Sequence, residues 1–154
     1  MNWKQTLRSL LPLGAALIYT GCWMVSCGHG REVASLADYP ALAVAELPDL
    51  YGVIVPRLAS QMFGVILCVT LFMLGLALTW WVHRPGITFW LVLAGLGAGT
   101  FAIGFTRGDA APVIGTLRID QVLDLLVVLA GLCGAGLSLR NSPGAGASVT
   151  PDIV

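Results

Sequence analysis

Charge is what this chain has least of: eight Lys and Arg against eight Asp and Glu in 154 residues, 10% in all and net zero. Soluble domains carry about 25% charged residues, so a soluble globular fold is excluded. Nucleic acid is excluded as a partner too, because holding a phosphate backbone takes a dense basic patch. None exists here; one Lys and seven Arg are scattered along the whole chain. Cysteine is sparse and poorly spaced for a metal. Cys22 and Cys27 stand five residues apart with His29 beyond, no C-x-x-C pair occurs, and Cys68 and Cys133 sit in the middle of apolar runs, where a thiol behaves as a small hydrophobe. An outward location would permit a disulfide between Cys22 and Cys27, although such a pair on one continuous helix points in diverging directions. No metal and no cofactor is expected. The glycine run Gly95-Leu96-Gly97-Ala98-Gly99 is no dinucleotide-binding turn, since it follows no strand and lies within an apolar run.

What the chain has instead is hydrophobic length, 57% of all residues. Nothing ionised lies between Arg8 and Arg31 except a possible His29, nor between Arg57 and His83. Each gap holds the roughly 20 apolar residues that cross a bilayer. The fold class expected is all-α integral membrane, with four transmembrane helices at about 10–27, 61–82, 87–106 and 119–139. An apolar outer loop around Tyr39-Pro40, Leu47-Pro48 and Pro56 follows the first helix, and 141–154, rich in Gly, Ser, Ala and Pro, reads as a disordered tail. The fourth span reaches full length only by taking Asp120 and Asp124 into the membrane boundary. Asp124 is one turn beyond Asp120 on the same face, and is expected to point into the bundle towards Arg118 or Gln121. Gly95 with Gly99, and Gly131 with Ala135, present small faces for close helix approach. Basic residues divide evenly between the two sides, but Arg8, Arg84 and Arg140 sit at helix ends with no acid beside them. This places both termini in the cytoplasm and turns the 31–57 and 107–120 loops outward.

The segment from Tyr19 to Glu32 admits several readings by itself. Lys4 and Arg8, then a short apolar run ending in Thr20-Gly21-Cys22, have the outline of a lipoprotein signal with an anchor at Cys22. The remainder of the chain points elsewhere. Val55-Pro56-Arg57-Leu58-Ala59-Ser60-Gln61-Met62-Phe63 resembles the Pro-Arg-His-Pro-Ser-Gln-Leu-Tyr segment of bacterial prolipoprotein diacylglyceryl transferases. Further landmarks follow in the same order: Arg84-Pro85-Gly86, an apolar helix, Gly104-Phe105-Thr106-Arg107-Gly108-Asp109, Leu117-Arg118-Ile119-Asp120-Gln121 and a last helix. Gly21-Cys22-Trp23 and Gly30-Arg31 are similar to that family's signature loop and the Gly-Arg after it. The likeness covers roughly residues 19 to 140, the family's carboxy-terminal half in a divergent and truncated form.

The resemblance implies a multi-pass protein of the bacterial cytoplasmic membrane that takes part in lipoprotein biosynthesis. It implies an activity that moves the diacylglyceryl group of phosphatidylglycerol to the lipobox cysteine of a preprolipoprotein signal peptide, with glycerol phosphate released. Such chemistry needs a base for the thiol and fixed cations for the phosphate. Arg107 and Arg118 are the headgroup candidates, since guanidinium pairs with phosphate bidentately. Arg57, Ser60, Gln61, Asp109 and Gln121 are candidate lipid-contacting polar groups. The resemblance also calls for an arginine and an asparagine where Tyr19 and Cys22 stand, a glutamate at Gly64, and an arginine and an acid at Thr100 and Gly104. Catalytic residues are therefore left unassigned. An active or split enzyme completed by a second membrane subunit, a noncatalytic lipid-binding member and a lipoprotein anchored at Cys22 all remain open. The topology is directly testable: reporter fusions after Arg84 and Arg140 are expected to signal cytoplasm, and one within residues 38–46 the outside. A cytoplasmic signal from that loop contradicts the arrangement.

Overall fold

Hydrocarbon offers no partner for a backbone N–H or C=O, so an apolar run inside it must pair its own groups, and the helix is the local way to do so. The structure, a computed structural model, describes residues 11–24, 28–48, 51–82 and 86–140. Its apolar runs are helical: α1 spans Leu11–Met24, α2 Ser60–Trp81, α3 Ile87–Gly104 and α4 Ile119–Arg140. At about 1.5 Å per residue, α2, α3 and α4 reach the roughly 30 Å of a hydrocarbon core. These three are long and apolar enough to cross a membrane. α1, with 14 described residues, is the shorter apolar helix. Residues 10 and 25–27 of the expected first span, residues 83–85 and the expected disordered tail at 141–154 lie outside the described residues.

The main packing is sequential, α1 on α2, α2 on α3 and α3 on α4, with the last contact the most extensive. Small residues set these distances. On α3, Gly95 and Gly99 receive Leu71 and Leu67 of α2, while Gly97 on the other side lies against Asp124, Val127 and Val128 of α4. Gly131 of α4 meets the backbone of Ala94, and Gly134 meets the Trp90 ring. Between α1 and α2 the Tyr19 ring occupies the space where a side chain at Gly64 would stand. Cys68 is a buried thiol and Cys133 an exposed one.

The expected apolar outer loop has more order than its prolines suggest. Val44–Pro48 (β1) and Ile54–Leu58 (β2) pair antiparallel, with Val44 opposite Leu58 and Pro48 opposite Ile54. Pro56 fits because its carbonyl accepts from Val33 N–H at 3.0 Å and only the matching donor is missing. A second small hairpin, Val113–Ile114 (β3) with Leu117–Arg118 (β4), turns at Gly115 and runs directly into α4. The molecule is thus mostly helical, with a short-stranded layer at one end.

Residues 28–33 join these parts. On one side Glu32 bridges Arg57, and Leu58 N–H donates to Arg31 O at 2.9 Å. On the other, Gly30 bridges Arg107, Arg31 N–H donates to Thr106 O at 2.8 Å, and Gly108 N–H donates to His29 O at 2.9 Å. Gly30 is needed here because a Cβ would collide with the Leu58 carbonyl. The packing of Tyr19 on Gly64 carries a test. Gly64→Val is expected to destabilise the protein by about 1–3 kcal/mol through overpacking, and adding Tyr19→Ala is expected to recover most of the loss. Chemical denaturation in detergent reads the cycle, and strictly additive penalties would contradict the contact.

Candidate functional site

The layer formed by residues 28–33 brings together polar groups that are far apart in sequence. Arg107, from the loop after α3, chelates Asp109 through Nε–Oδ1 at 2.9 Å and Nη2–Oδ2 at 2.8 Å. Arg118, at the end of β4, reaches Asp109 Oδ2 at 3.2 Å and Asp120 Oδ1 at 3.0 Å, and donates to the Asp109 carbonyl at 2.8 Å. Arg107 Nη1 closes the ring on Asp120 at 3.5 Å. Two cations and two anions alternate, so the quartet is neutral overall. Gln121 sits behind it, 2% exposed, accepting from Arg118 N–H at 3.1 Å and donating to Phe101 O at 3.3 Å. A Cβ at Gly104 would lie 2.7 Å from Gln121 Cγ, so that glycine makes the space for the amide.

The other candidates lie across the 28–33 segment. Arg57 is buried, with Nη2 on Glu32 at 2.8 Å and Nη1 directed at Gly30 O. Ser60, at the start of α2, donates to Gly28 O at 2.9 Å and fixes a residue held at φ +64°, where glycine is the unstrained choice. Ser60 and Gln61 then meet Arg107, Tyr19, Cys22, Gly28 and Ile103 around a cavity of about 40 Å³. That volume admits about one water, so anything as large as a lipid headgroup needs the lining to move apart. Of the seven sequence candidates, Ser60, Gln61 and Arg107 share the cavity wall, Asp109, Arg118 and Gln121 form the quartet side, and Arg57 supports the layer from behind.

Three features were not legible in advance. Tyr19 points into the site; its place one turn before Cys22, on the same helix face, is the signal that could have found it. Glu32 pairs with Arg57 only because residues 28–33 form a strand-like segment. Asp124 bonds neither Arg118 nor Gln121, as expected from the sequence, but Thr100 of α3, whose hydroxyl oxygen lies 2.7 Å from Oδ1. The reason is that α3 and α4 approach closely at Gly97, while Arg118 and Gln121 are engaged above. Cys22 is disulfide-bonded, which leaves it no free thiol; Cys27 lies outside the described residues. Among the described residues no group of three potential metal ligands forms.

A mostly helical chain with three helices apolar and long enough to cross a membrane, and a polar layer with a small cavity at one end, has the make-up of an all-α membrane protein. The family model of prolipoprotein diacylglyceryl transferase matches residues 2–136, and the chain belongs to that family of inner-membrane transferases. Neither the curated proteins nor the solved structures yield a match.

The quartet gives the layer a pH dependence. Burial alone would raise the Asp109 pKa, but the hydrogen bond from Arg107 and the charges of Arg107 and Arg118 outweigh it and hold the carboxyl below its ordinary value. The same hydrogen bond raises Arg107 further above its already basic range. An acid that is stronger folded than unfolded stabilises the protein fully above its unfolded pKa, and that stability is lost as pH falls through the folded value. Acidification below the ordinary aspartate range is therefore expected to loosen residues 105–120. Asp109→Asn is expected to lose about 1–3 kcal/mol at neutral pH and to flatten the acid limb of a thermal-stability profile. An unchanged acid limb in the variant would show that Asp109 is not its source.

Proposed function

We propose that this chain holds an anionic phospholipid headgroup, phosphatidylglycerol in preference to zwitterionic lipid, at the outer interface beside Arg107, and that it does not by itself transfer the diacylglyceryl group. The observation that carries this reading is the cavity where Arg107, Ser60, Gln61 and Tyr19 meet. Arg107 Nη1 makes the longest contact of the quartet, 3.5 Å to Asp120. A phosphodiester displacing Asp120 there exchanges a loose ion pair for a charge-assisted hydrogen bond. Ser60 and Gln61, on the cavity wall, are the polar groups for glycerol hydroxyls or ester carbonyls. In this reading the chain crosses the membrane four times, with both termini cytoplasmic.

The case against unaided transfer comes from the substituted positions. Where the resemblance calls for an arginine and a glutamate, the Tyr19 ring lies on Gly64; where it calls for an arginine and an acid, Thr100 faces Asp124 and Gly104 faces Gln121. Each departure is matched by a neighbour that fills the space. The result is well packed and short of cations. In transfer, the acceptor thiol loses a proton, its sulfur bonds to the glycerol carbon, and the carbon–oxygen bond to phosphate breaks as glycerol phosphate leaves. Each missing acid–base or charge-stabilising group lowers such a rate by about a hundredfold or more. A second membrane subunit supplying those groups turns the chain into half of a split enzyme acting on a preprolipoprotein signal peptide.

Lipid competition on the purified chain in nanodiscs tests the first part. Phosphatidylglycerol is expected to be retained over phosphatidylcholine, with Arg107→Ala reducing that preference about tenfold, the effect of losing one charged hydrogen bond, and Arg118→Ala reducing it by leaving Asp109 and Asp120 to claim Arg107. Equal retention of both lipids contradicts it. Incubation with phosphatidylglycerol and a lipobox peptide is expected to give no thioether product, and turnover by the isolated chain refutes the second part.

A further inference from the structure

Asp124 takes no part in the quartet, yet it is an ionisable residue inside the helix α4, one turn past Asp120 and within a segment apolar enough to span a membrane. Such residues are rare and generally tied to function. Among the described residues no salt bridge reaches it. Its polar contact is with Thr100, whose Oγ1 is 2.7 Å from Asp124 Oδ1, the spacing of an ordinary O–H···O bond.

The Thr100 hydroxyl has a single hydrogen and three oxygens in reach, for it also lies 2.9 Å from Leu96 O and 3.1 Å from Gly97 O. The two carbonyls can only accept. Giving the hydrogen to an ionised Asp124 sets the Oγ1 lone pairs against both carbonyl oxygens. Giving it to the carbonyls sets a carboxylate oxygen against an Oγ1 lone pair at 2.7 Å. A second hydrogen, carried by Asp124, removes both conflicts. The carboxylic acid then donates to Thr100 Oγ1, and Thr100 donates back to its own helix, a common arrangement for a helical threonine.

The surroundings favour the same state. Hydrocarbon penalises an ionised carboxylate that no cation touches far more than a neutral acid. Tyr19 from α1 interacts electrostatically with both Asp124 and Cys68 of α2. Asp120 on the same helix and Arg107 beyond the end of α3 act on Asp124 with opposite signs. α3 itself presents only the uncharged Thr100.

We propose that Asp124 and Thr100 form an intramembrane proton-binding site, with Asp124 held as a neutral acid at neutral pH and donating its hydrogen bond to Thr100. The ligand is the proton. Its departure puts a carboxylate into the α3–α4 seam, within the field of Arg107, so the site couples protonation in the membrane to the cation that faces the cavity. The inference is independent of which lipid, if any, the cavity holds.

The full chain in phosphatidylcholine vesicles, treated at neutral pH with a hydrophobic carbodiimide, tests it. The reagent adds across a protonated carboxyl to leave an acylurea that peptide mass mapping locates. Label is expected on Asp124 in the wild type and in Asp109→Asn, and is lost in Asp124→Asn, whose amide keeps the size and neutrality of the acid. Thr100→Val is expected to retain the label, because removing an acceptor does not ionise the donor. An unlabelled wild type that gains label in Thr100→Val shows an ionised Asp124 held by the threonine hydrogen, and overturns the proposal. Infrared difference spectra between wild type and Asp124→Asn decide the matter even where the reagent is excluded. Loss of a protonated-carboxyl band is expected, and loss of a carboxylate band contradicts the site.

Discussion

The seating of residues 28–33 between β2 and the loop after α3 is the contact on which the rest of this molecule depends. Apolar helices in hydrocarbon satisfy their own backbones and gain little specificity from apolar contact with one another. The short segment between α1 and β1 cannot pair internally, and it solves that by donating and accepting on both edges, to Pro56 and Leu58 on one side and to Thr106 and Gly108 on the other. That single strand-like piece locks the start of α2, the β1–β2 hairpin and the α3–α4 loop into one layer. Arg107 stands beside Ser60 and Tyr19 because of it. Gly30 allows the close approach to Leu58, and Ser60 pins Gly28 from the start of α2.

Electrostatically the layer is paired except at Arg31, whose guanidinium donates to the Phe105 carbonyl and meets no carboxylate among the described residues. Arg107, Arg118, Asp109 and Asp120 neutralise one another, and buried Arg57 is matched by Glu32. At the cavity, Arg107 is already in use by the quartet, and its loosest corner is Nη1, 3.5 Å from Asp120. The membrane half of the bundle lacks any such compensation. Its one acid on α4, Asp124, meets a threonine in place of a guanidinium. The ion pairs thus gather at the end of the bundle, while below them glycines seat their neighbours, Gly64 the Tyr19 ring and Gly104 the Gln121 side chain.

The sequence made the apolar helices legible, because charge gaps and hydrocarbon thickness are local properties of the chain. Family membership was legible as well, since its landmarks are short motifs in a fixed order, and the family match over residues 2–136 agrees with it. Pairings across elements were not legible. Arg107 with Asp109 is a neighbour effect visible in sequence, whereas Arg57 with Glu32 depends on a strand pairing that Pro48 and Pro56 concealed. The destination of Asp124 was missed for a related reason: which face of α3 receives it is decided by where Gly97 permits the two helices to touch. Glycines read as a general small-residue face at positions 95 and 99 turned out to serve α2, with Gly97 serving α4.

Amide hydrogen exchange in lipid nanodiscs tests the central claim most directly, that the two loops and the start of α2 form a single hydrogen-bonded layer. Peptides covering residues 29–33, 55–58 and 105–109 are expected to exchange slowly and to lose protection together as denaturant is added, since the Arg31, Val33, Leu58 and Gly108 amides share one ladder. Fast exchange in 29–33 beside a protected 55–58 hairpin, or independent opening of the 105–109 segment, would mean that the layer does not exist as a unit, and the placement of Arg107 at the cavity would fall with it.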